Sequence, residues 1–231
     1  MNFTKNNLCI IPARGGSKRI PKKNIKFFLG KPIIAYSIEI ARKSGLFEEI
    51  MVSTDDPEIA QIAEEYGAKV PFFRSKETSD DFAPLRDVVD EVLEHYSSNN
   101  KFFENVCCIL PTAPLLQQID IVKSLEILES NNFDSVRPIV KFSYPIQRAF
   151  KYNGGLVEMF NPEFLLTRSQ DLEDAYHDAG MFYWLTFEKG FKGEKKGAYV
   201  IAEKYAQDID TLEDWEIAEF KYNFLFSDES N

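Results

Sequence analysis

Residues 8–24 read LCIIPARGGSKRIPKKN, an apolar run from Leu8 to Ile11 that passes into prolines, glycines and cations. A short apolar run that stops at a proline is typical of a buried strand, and in an open α/β sheet the loop after such a strand lies at the carboxyl edge, where ligands bind. Gly15 and Gly16 allow the backbone to approach a ligand closely or to adopt positive φ angles. The same loop holds five cations and no acid: Arg14, Lys18, Arg19, Lys22 and Lys23. The stretch therefore predicts a strand followed by an anion-binding loop that suits a polyphosphate.

The charge distribution along the chain supports this interpretation. Residues 1–38 contain eight Lys and Arg and no Asp or Glu, in a chain whose formal net charge is −10. Neither the G-x-x-x-x-G-K-[ST] phosphate loop nor the dinucleotide fingerprint G-x-G-x-x-G occurs in the sequence. The alternative is a solvated basic turn, which is the commoner meaning of a charge run. The concentration of positive charge against the sign of the whole chain favours a binding loop of a different kind.

The rest of the chain alternates strand-like runs with helical patterns. Predicted strands cover residues 8–11, 49–54, 106–110, 134–140 and 198–203, and predicted helices begin near residues 32, 57, 84, 119 and 212. Pro32 suits a first helical position and Gly45 a C-cap, while Asp56 and Pro57 suit an N-cap and the residue after it. Such alternation with short connections predicts one α/β domain over residues 1–231, built on a single doubly wound, mostly parallel sheet.

Composition restricts the class of protein. A chain of 231 residues, 44% hydrophobic, can bury a sizeable core. Its acidic balance, with a pI of about 4.9, argues against nucleic acid or an anionic membrane as partner. No run of 18 apolar residues and no signal-peptide pattern occurs, so a cytoplasmic protein is expected. Cys9, Cys107 and Cys108 lie in apolar runs without the spacing of a disulfide framework or zinc site, which predicts buried thiols.

The motif Asp208-Ile209-Asp210 follows the last predicted strand. On an extended backbone the two carboxylates point to one side and Ile209 to the other. Oxygen ligands at this spacing suit Mg²⁺, which binds through one or two carboxylates together with substrate phosphates. The alternative is that Asp210 or Thr211 caps the following helix, and the two roles are compatible.

Several motifs together resemble a known family. Arg14, Ser17, Lys18, Lys23 and Asn24 match the pattern I-P-A-R-x-x-S-K-x-x-x-x-K-N in place. That pattern is the signature of the sugar-acid cytidylyltransferases, which make CMP-activated nonulosonic acids. The resemblance continues, in order, through Ser53-Thr54-Asp55-Asp56, Pro111-Thr112-Ala113-Pro114 and Asp208-Ile209-Asp210, so it extends over nearly the whole chain.

The resemblance implies a fold and a set of site residues. The fold is the Rossmann-like one of nucleotide-diphospho-sugar transferases, with a small dimerisation and substrate extension at about residues 140–185. The implied catalytic residues are Arg14, Lys18, Lys23 and Asp208, and Asp208 and Asp210 are the implied Mg²⁺ ligands. The implied nucleotide-binding residues are Pro12, Ala13, Arg14, Gly15, Gly16, Ser17, Asn24, Ser53, Arg74 and Thr112. The chain departs from the family at Leu110, where Gln is common, and Gln117 and Gln118 are the nearest polar replacements.

Two later segments, residues 143–150 and 168–180, are polar, aromatic and without periodicity. They look like the corresponding segments of pseudaminic acid cytidylyltransferases. Arg148 and Arg168 suit a carboxylate through the guanidinium fork, and Gln147 and Gln170 suit amides or hydroxyls. Tyr176 and His177 complete the predicted substrate contacts, with a structural hydrogen bond as the commoner role for a single histidine.

The predicted reaction is transfer of CMP from CTP to the anomeric hydroxyl of a nonulosonic acid, most closely pseudaminic acid, with release of pyrophosphate. The predicted partners are CTP, the sugar acid and a second copy of the chain, with no nucleic acid and no membrane. The alternatives are the same reaction on N-acetylneuraminate, legionaminate or Kdo, a nucleotide-binding sensor without turnover, and a dehydrogenase-like dinucleotide binder. The carboxylate pair disfavours the sensor, and the missing G-x-G-x-x-G disfavours the dinucleotide binder.

Overall fold

A computed structural model describes residues 6–226 of the chain. Within this range the strands are β1 (Asn7–Pro12), β2 (Phe27–Phe28), β3 (Lys31–Pro32), β4 (Glu49–Ser53), β5 (Asn105–Ile109), β6 (Ser135–Lys141), β7 (Phe150–Asn153), β8 (Leu156–Met159), β9 (Tyr176–Asp178), β10 (Phe182–Thr186) and β11 (Lys196–Val200). The α-helices are α1 (Ile33–Ser44), α2 (Pro57–Glu65), α3 (Lys76–Ser79), α4 (Leu85–Ser98), α5 (Gln118–Ser130) and α6 (Leu212–Phe226).

The central sheet has the strand order β11-β6-β10-β5-β1-β4, and β9 pairs with the end of β6. β1 is parallel to β4 and β5, and β6 is parallel to β11. β10 is antiparallel to both of its neighbours, β5 and β6. The predicted α/β class with a mostly parallel sheet is therefore confirmed. The carboxyl ends of β1, β4 and β5 share one edge, so the loops that follow them meet there.

β1 is buried on both faces because its side chains alternate between two cores. Cys9 and Ile11 belong to the cluster that contains residues of α1 and α5. Leu8 and Ile10 belong to the cluster that contains residues of α4. A strand covered by helices on both faces reads as a continuous apolar run, which is why the sequence identifies it. All three cysteines are free and buried, as predicted.

A third, smaller core lies at the carboxyl edge and positions the site. Ile20 from the cationic loop and Ile209 from the acidic motif pack in it against Phe28, Trp215 and neighbouring apolar residues. Ile20 is 1% exposed and Ile209 is fully buried. The ring centroids of Phe28 and Trp215 are 5.5 Å apart in an edge-on arrangement. This core therefore fixes the cationic loop relative to residues 208–210.

Local signals predict several helix boundaries correctly. Gly45 ends α1 with a left-handed φ of 68°, and the Asp56 carboxylate accepts the Glu58 amide (2.8 Å) as the N-cap of α2. The prediction that Pro32 is the first helical residue is wrong by one position. Pro32 has extended backbone angles and is the N-cap, so α1 begins at Ile33.

Other predicted elements need correction. The polar loop after Arg74 contains a short helix, α3. The last strand, β11, runs from Lys196 to Val200 and not from 198 to 203, and residues 203–205 form a 3-10 turn. The sequence also misses β10 entirely.

Residues 143–166 extend away from the sheet edge. The antiparallel hairpin of β7 and β8 has every side chain exposed except the half-buried Met159. Among the residues that the structure describes, no helix is both long enough and apolar enough to cross a membrane.

Candidate active site

The cationic loop leaves β1 alongside the end of β4. Pro12 pairs with Ser53 in the sheet, and the Ala13 amide donates to the Ser53 carbonyl (2.9 Å), which continues the ladder by one residue. The Gly15 amide then donates to Oδ1 of Asp55 (2.9 Å), and the Ser17 amide donates to the Gly15 carbonyl (3.0 Å). The loop backbone is thus held on the predicted strand end at Ser53 and Asp55.

Gly15 is required by its close approach to α2. A β-carbon at this position would lie 2.6 Å from Oδ2 of Asp56, whereas one at Gly16 would meet nothing within 4 Å. Neither glycine has a positive φ angle. The predicted positive φ angles are therefore wrong for both glycines, and the predicted close approach to a ligand stays a prediction, since the close approach at Gly15 is to Asp56.

Asn24 closes the loop from below. Its buried side chain donates from Nδ2 to the carbonyl of Arg14 (2.9 Å), so this hydrogen bond ties the two ends of the loop together. Lys22, two residues earlier, adopts a left-handed conformation with φ 52° and directs its ammonium to Glu58 on α2. Asn24 therefore supports the loop, and its predicted contact with a nucleotide stays a prediction.

The other cations of the loop reach two further carboxylates, Asp81 and Asp210. Arg14 donates from one Nη1 to Oδ1 of Asp81 (2.7 Å) and to the carbonyl of Asp80 (2.8 Å), and Lys18 contacts the other oxygen of Asp81. Lys23 donates to the carbonyl of Ile209 (2.7 Å).

Asp210 receives the other two contacts of the loop. Arg19 lies 2.8 Å from its carboxylate and Lys23 lies 3.5 Å from it. The structure therefore brings the predicted phosphate loop and the predicted metal ligands into direct contact, across more than 180 residues of chain.

Residues 208–210 have the alternation that the sequence predicts. Ile209 is buried in the third core, while Asp208 and Asp210 remain accessible. Partial burial raises the pKa of Asp208, and the nearby Asp210 carboxylate raises it further, while Lys23 opposes the shift. The two carboxylates are therefore close enough to repel each other, which is the condition that a divalent cation relieves.

The cap of α6 does not use the carboxylates of Asp208 and Asp210. The Thr211 hydroxyl accepts the Asp214 amide (3.2 Å), and Asp214 in return accepts the Thr211 and Asp210 amides (2.8 and 3.0 Å), which is a capping box. Within residues 6–226 no group of three or more His, Cys, Asp or Glu side chains could hold a metal alone. Asp208 and Asp210 thus fit a Mg²⁺ site only as a partial ligand set that substrate oxygens complete.

Ser53 and Arg74 form a buried pair beneath this edge. Arg74 donates from Nε to the Ser53 hydroxyl (3.1 Å), from Nη2 to the Ser53 carbonyl (2.7 Å) and from Nη1 to the Thr78 carbonyl (3.3 Å). Burial lowers the pKa of Arg74, and the nearby Asp55 carboxylate counteracts it. Because the Ser53 carbonyl also binds the Ala13 amide, Arg74 supports the start of the cationic loop, and direct nucleotide contact by either residue stays a prediction.

Thr112 lies in the buried turn after β5, at the same edge as the cationic loop. The backbone of Leu110, two residues earlier, is held by the Met181 carbonyl (2.8 Å) and by the Ser37 hydroxyl (2.8 Å). Gln117 is the N-cap residue of α5 and Gln118 its first residue. Pro111 and Pro114, on either side of Thr112, each restrict the φ angle of the backbone in this turn.

The two predicted substrate segments meet each other. Gln147 donates from Nε2 to the carbonyl of Glu173 (2.8 Å), and Arg148 approaches the Ser169 hydroxyl (3.5 Å). The Oε1 atom of Gln147 is buried and has no hydrogen-bond partner among residues 6–226. Residues 141–145, 169, 170 and 172–175, including Gln170, line a cavity of about 340 Å³. The segments thus form one concave surface with an available acceptor beside it.

The remaining predicted substrate residues differ in availability. Arg168 is paired through two hydrogen bonds with Asp171 (2.6 and 3.0 Å), so its guanidinium fork is occupied. Tyr176 and His177 are exposed on β9, and the His177 Nδ1 atom contacts the Asp178 carbonyl (2.9 Å). This is the structural role weighed for His177 in the sequence.

The end of β9 reaches the acidic pair. A β-carbon at Gly180, which has φ 63°, would lie 3.6 Å from Cγ of Asp208. The Gly180 amide in turn donates to Oδ1 of Asp178 (2.8 Å). The predicted substrate segment 168–180 and the acidic pair therefore adjoin through this turn.

Sequence reasoning missed the partners of the cationic loop. Asp81 binds Arg14 and Lys18, and Arg19 binds Asp210, yet no motif or spacing marks these pairs. Asp178, which accepts the Tyr183 hydroxyl (3.1 Å) and pairs with Arg137 (3.3 Å), is also new. Only the polar character of the loop after Arg74 could have pointed to Asp81.

Comparison with known proteins agrees with this geometry. The chain is 47% identical over 223 residues to the pseudaminic acid cytidylyltransferase of Campylobacter jejuni, covering 94% of this chain and 96% of the relative. It is 35% identical over 227 residues to the CMP-N,N'-diacetyllegionaminic acid synthase of Legionella pneumophila, covering 92% and 94%. Among solved structures, CMP:2-keto-3-deoxy-manno-octonic acid synthetase complexed with CTP has the same fold, with a TM-score of 0.68, 16% identity and coverage of 96% of this chain and 99% of that one.

A family model described as cytidylyltransferase matches residues 8–223. This range includes β1, the whole cationic loop and residues 208–210. The chain therefore belongs to the cytidylyltransferase family.

Proposed function

We propose that the protein transfers CMP from CTP to the anomeric hydroxyl of a nonulosonic acid, and that pseudaminic acid is its acceptor. The observation that carries the proposal is the contact between the cationic loop and the acidic motif, through Lys23 to Ile209 and Asp210. The similarity to the Campylobacter jejuni enzyme supports the choice of acceptor.

The chemistry requires charge stabilisation at the polyphosphate. The acceptor hydroxyl loses its proton to solvent as its oxygen forms a bond to the α-phosphorus. The bond from that phosphorus to the bridging oxygen breaks, and pyrophosphate leaves with increased negative charge. Arg14, Lys18 and Lys23 are the cations that this loop can present to that charge. Because Asn24 and Ile20 fix the loop before substrate arrives, little reorganisation is needed at the moment of reaction.

Mg²⁺ is proposed as the cofactor. Asp208 and Asp210 would hold the ion together with substrate oxygens, since the described part of the chain offers no third ligand of the same kind nearby. When bound there, the ion would polarise phosphate oxygens and offset their charge.

The sugar acid is proposed to bind where residues 143–150 meet residues 168–180. Gln147 presents a buried acceptor without a protein partner, which suits the N–H of an acylated amine. Arg148 is the available guanidinium for the carboxylate, because Arg168 is already paired with Asp171.

We predict that kcat/KM for pseudaminic acid exceeds that for neuraminic acid by at least about 10². The two acids share the carboxylate and the anomeric centre, so discrimination depends on other groups, such as the acylated amines. A site that hydrogen-bonds such a group strongly rejects an acid that lacks it. Gln147→Ala and Gln170→Ala are expected to narrow the gap. The measurement is a competition between both acids at limiting CTP, with each product quantified.

Gln61→Ala is the matched control, since Gln61 lies on α2 and pairs with Glu65 (3.0 Å), away from the sugar segments. Pyrophosphate release with CTP and each of pseudaminic, neuraminic, legionaminic acid and Kdo tests the reaction itself. Equal consumption of the two competing acids would leave only the general nonulosonate reaction, and no release with any acid would overturn the proposed function.

A homodimer is proposed, with residues 140–185 at the interface. Exposed apolar side chains are concentrated in this extension: Tyr144, Ile146, Phe150, Tyr152, Leu156, Val157, Phe160, Leu165 and Leu166. Leu156 is 79% exposed and Leu166 is 93% exposed. This concentration of exposed apolar side chains supports an interaction surface on the extension.

We expect Leu156→Ser combined with Leu166→Ser to weaken dimerisation by at least about a hundredfold, because each buried leucine contributes about 1.5–3 kcal/mol and both subunits lose two. Sedimentation velocity at micromolar concentration measures the change. Phe224→Ser is the control, since Phe224 is equally exposed but lies on α6. A wild-type monomer, or a double variant that remains dimeric, contradicts the interface.

The cytoplasm is proposed as the compartment. Cys9, Cys107 and Cys108 are free thiols, which agrees with a reducing environment.

A further inference from the structure

Asp81 occupies the anion position of the cationic loop. Its Oδ1 atom lies 2.7 Å from Nη1 of Arg14, and its Oδ2 atom contacts Nζ of Lys18. The same Nη1 atom also donates to the carbonyl of Asp80 (2.8 Å). Two of the three cations proposed to bind the polyphosphate are therefore paired with one protein carboxylate.

The segment that carries Asp81 is a preformed turn on a fixed base. The Asp80 carboxylate accepts the amides of Phe82 (2.7 Å) and Ala83 (2.6 Å), which holds Asp81 at the tip. At the base, Glu91 of α4 accepts the Ser75 amide (2.8 Å).

Nothing in the core holds the tip itself. Phe82, next to Asp81, is 91% exposed. The tip can therefore leave the cations without disrupting any apolar packing, since α3 and the start of α4 stay anchored.

The electrostatics favour exchange with a stronger anion. The hydrogen bond from Lys18 lowers the pKa of Asp81, and Arg14 lowers it further, so the carboxylate is charged at neutral pH. A polyphosphate carries several charges and more acceptor oxygens, and it cannot occupy the same donors as Asp81 at the same time. A polyphosphate that binds Nη1 of Arg14 and Nζ of Lys18 in the place of Asp81 therefore displaces its carboxylate.

We propose that Asp81 is a positioning residue that acts as a phosphate placeholder, holding Arg14 and Lys18 together in the free enzyme and yielding them to the polyphosphate of the nucleotide. This deepens the proposed function and depends on it, because CTP is the displacing anion. The Asp81 carboxylate keeps two mutually repelling cations in place before substrate binds. Because only the molecules in which Asp81 has left the cations can bind the anion there, the apparent anion affinity is reduced to that fraction of its intrinsic value.

The sign of the effect distinguishes this role from others. Asp81→Asn is expected to bind inorganic tripolyphosphate about three- to tenfold more tightly than the wild type, because the competing charge is removed. The KM for CTP is expected to fall by a similar factor. A residue that merely supported the loop would give weaker binding on substitution. Isothermal titration with tripolyphosphate, without added metal, measures the affinity, and the melting temperature reports the fold.

Asp80→Asn is the matched control, since it makes the same charge change one residue away while an asparagine oxygen can still accept the Phe82 and Ala83 amides. Its affinity for tripolyphosphate is expected to stay within about twofold of the wild type. Asp81→Ala provides a second variant if Asp81→Asn is unstable, with the same expected sign.

Unchanged or weaker tripolyphosphate binding by the Asp81 variants overturns the placeholder. Failure of the wild type to bind either tripolyphosphate or CTP would instead count against the phosphate loop of the proposed function, so the two failures are distinguishable.

Discussion

Asp208→Asn is expected to reduce CMP transfer by at least about a thousandfold, equivalent to about 4 kcal/mol of transition-state stabilisation. The reason is that, in the proposed function, Asp208 and Asp210 would hold Mg²⁺ together with substrate oxygens, while the Asp208 side chain is exposed and takes no part in the core. Its melting temperature is expected to stay within a few degrees of the wild type. Steady-state pyrophosphate release over a Mg²⁺ titration measures the loss.

Asp214→Asn is the control for this substitution. Asp214 lies on the same segment, but its carboxylate accepts the backbone amides of Asp210 and Thr211 and so stabilises the start of α6. Because an asparagine oxygen can still accept these amides, Asp214→Asn should retain turnover. Wild-type activity that persists in the presence of a chelator would show that the Asp208 and Asp210 pair is not a metal site.

Arg14→Ala and Lys23→Ala are each expected to lower kcat/KM for CTP by about 10² or more, equivalent to about 2.7 kcal/mol. Each substitution removes one preorganised positive charge that would face the polyphosphate in the proposed reaction. For Lys23 the preorganisation is visible, because its ammonium is held by the Ile209 carbonyl beside Asp210. Initial rates at subsaturating CTP give the ratio directly.

Lys22→Ala tests whether position and not net charge causes the loss. Lys22 is the neighbour of Lys23, yet its side chain pairs with Glu58 on α2 and points away from the acidic motif. Its kcat/KM is expected to remain within about threefold of the wild type, since exposed pairs contribute little. A stable Arg14→Ala or Lys23→Ala enzyme with near-normal turnover would remove the phosphate-loop assignment.

The Ser53 and Arg74 pair changes the meaning of a sequence signal. Both residues fall where the family resemblance places nucleotide contacts, but the structure buries them against each other and against the backbone of the cationic loop. Through the Ser53 carbonyl, which also receives the Ala13 amide, Arg74 helps set the position of that loop. Substitutions at either residue therefore act on the loop as well as on any bound nucleotide.

Elements that depend on adjacent residues could be predicted from the sequence. β1 was readable because a strand buried on both faces is apolar throughout, and α2 because Asp56 and Pro57 form a cap whose geometry needs only adjacent residues. The alternation of Asp208, Ile209 and Asp210 was readable for the same reason, since it depends only on the extended backbone. Family membership also followed from motifs in fixed order.

Contacts between segments that are distant in the chain could not be predicted from the sequence and are visible in the folded protein. β10 was missed because five residues joining the sheet in the antiparallel direction carry no local mark of that direction, which depends on the strands β5 and β6 beside them. Asp81 was missed because its contact with Arg14 spans 67 residues and is set by the path of an exposed loop. Local patterns specify what a segment can form, whereas the direction of a strand and the partner of a charge depend on neighbours that only the folded chain brings together.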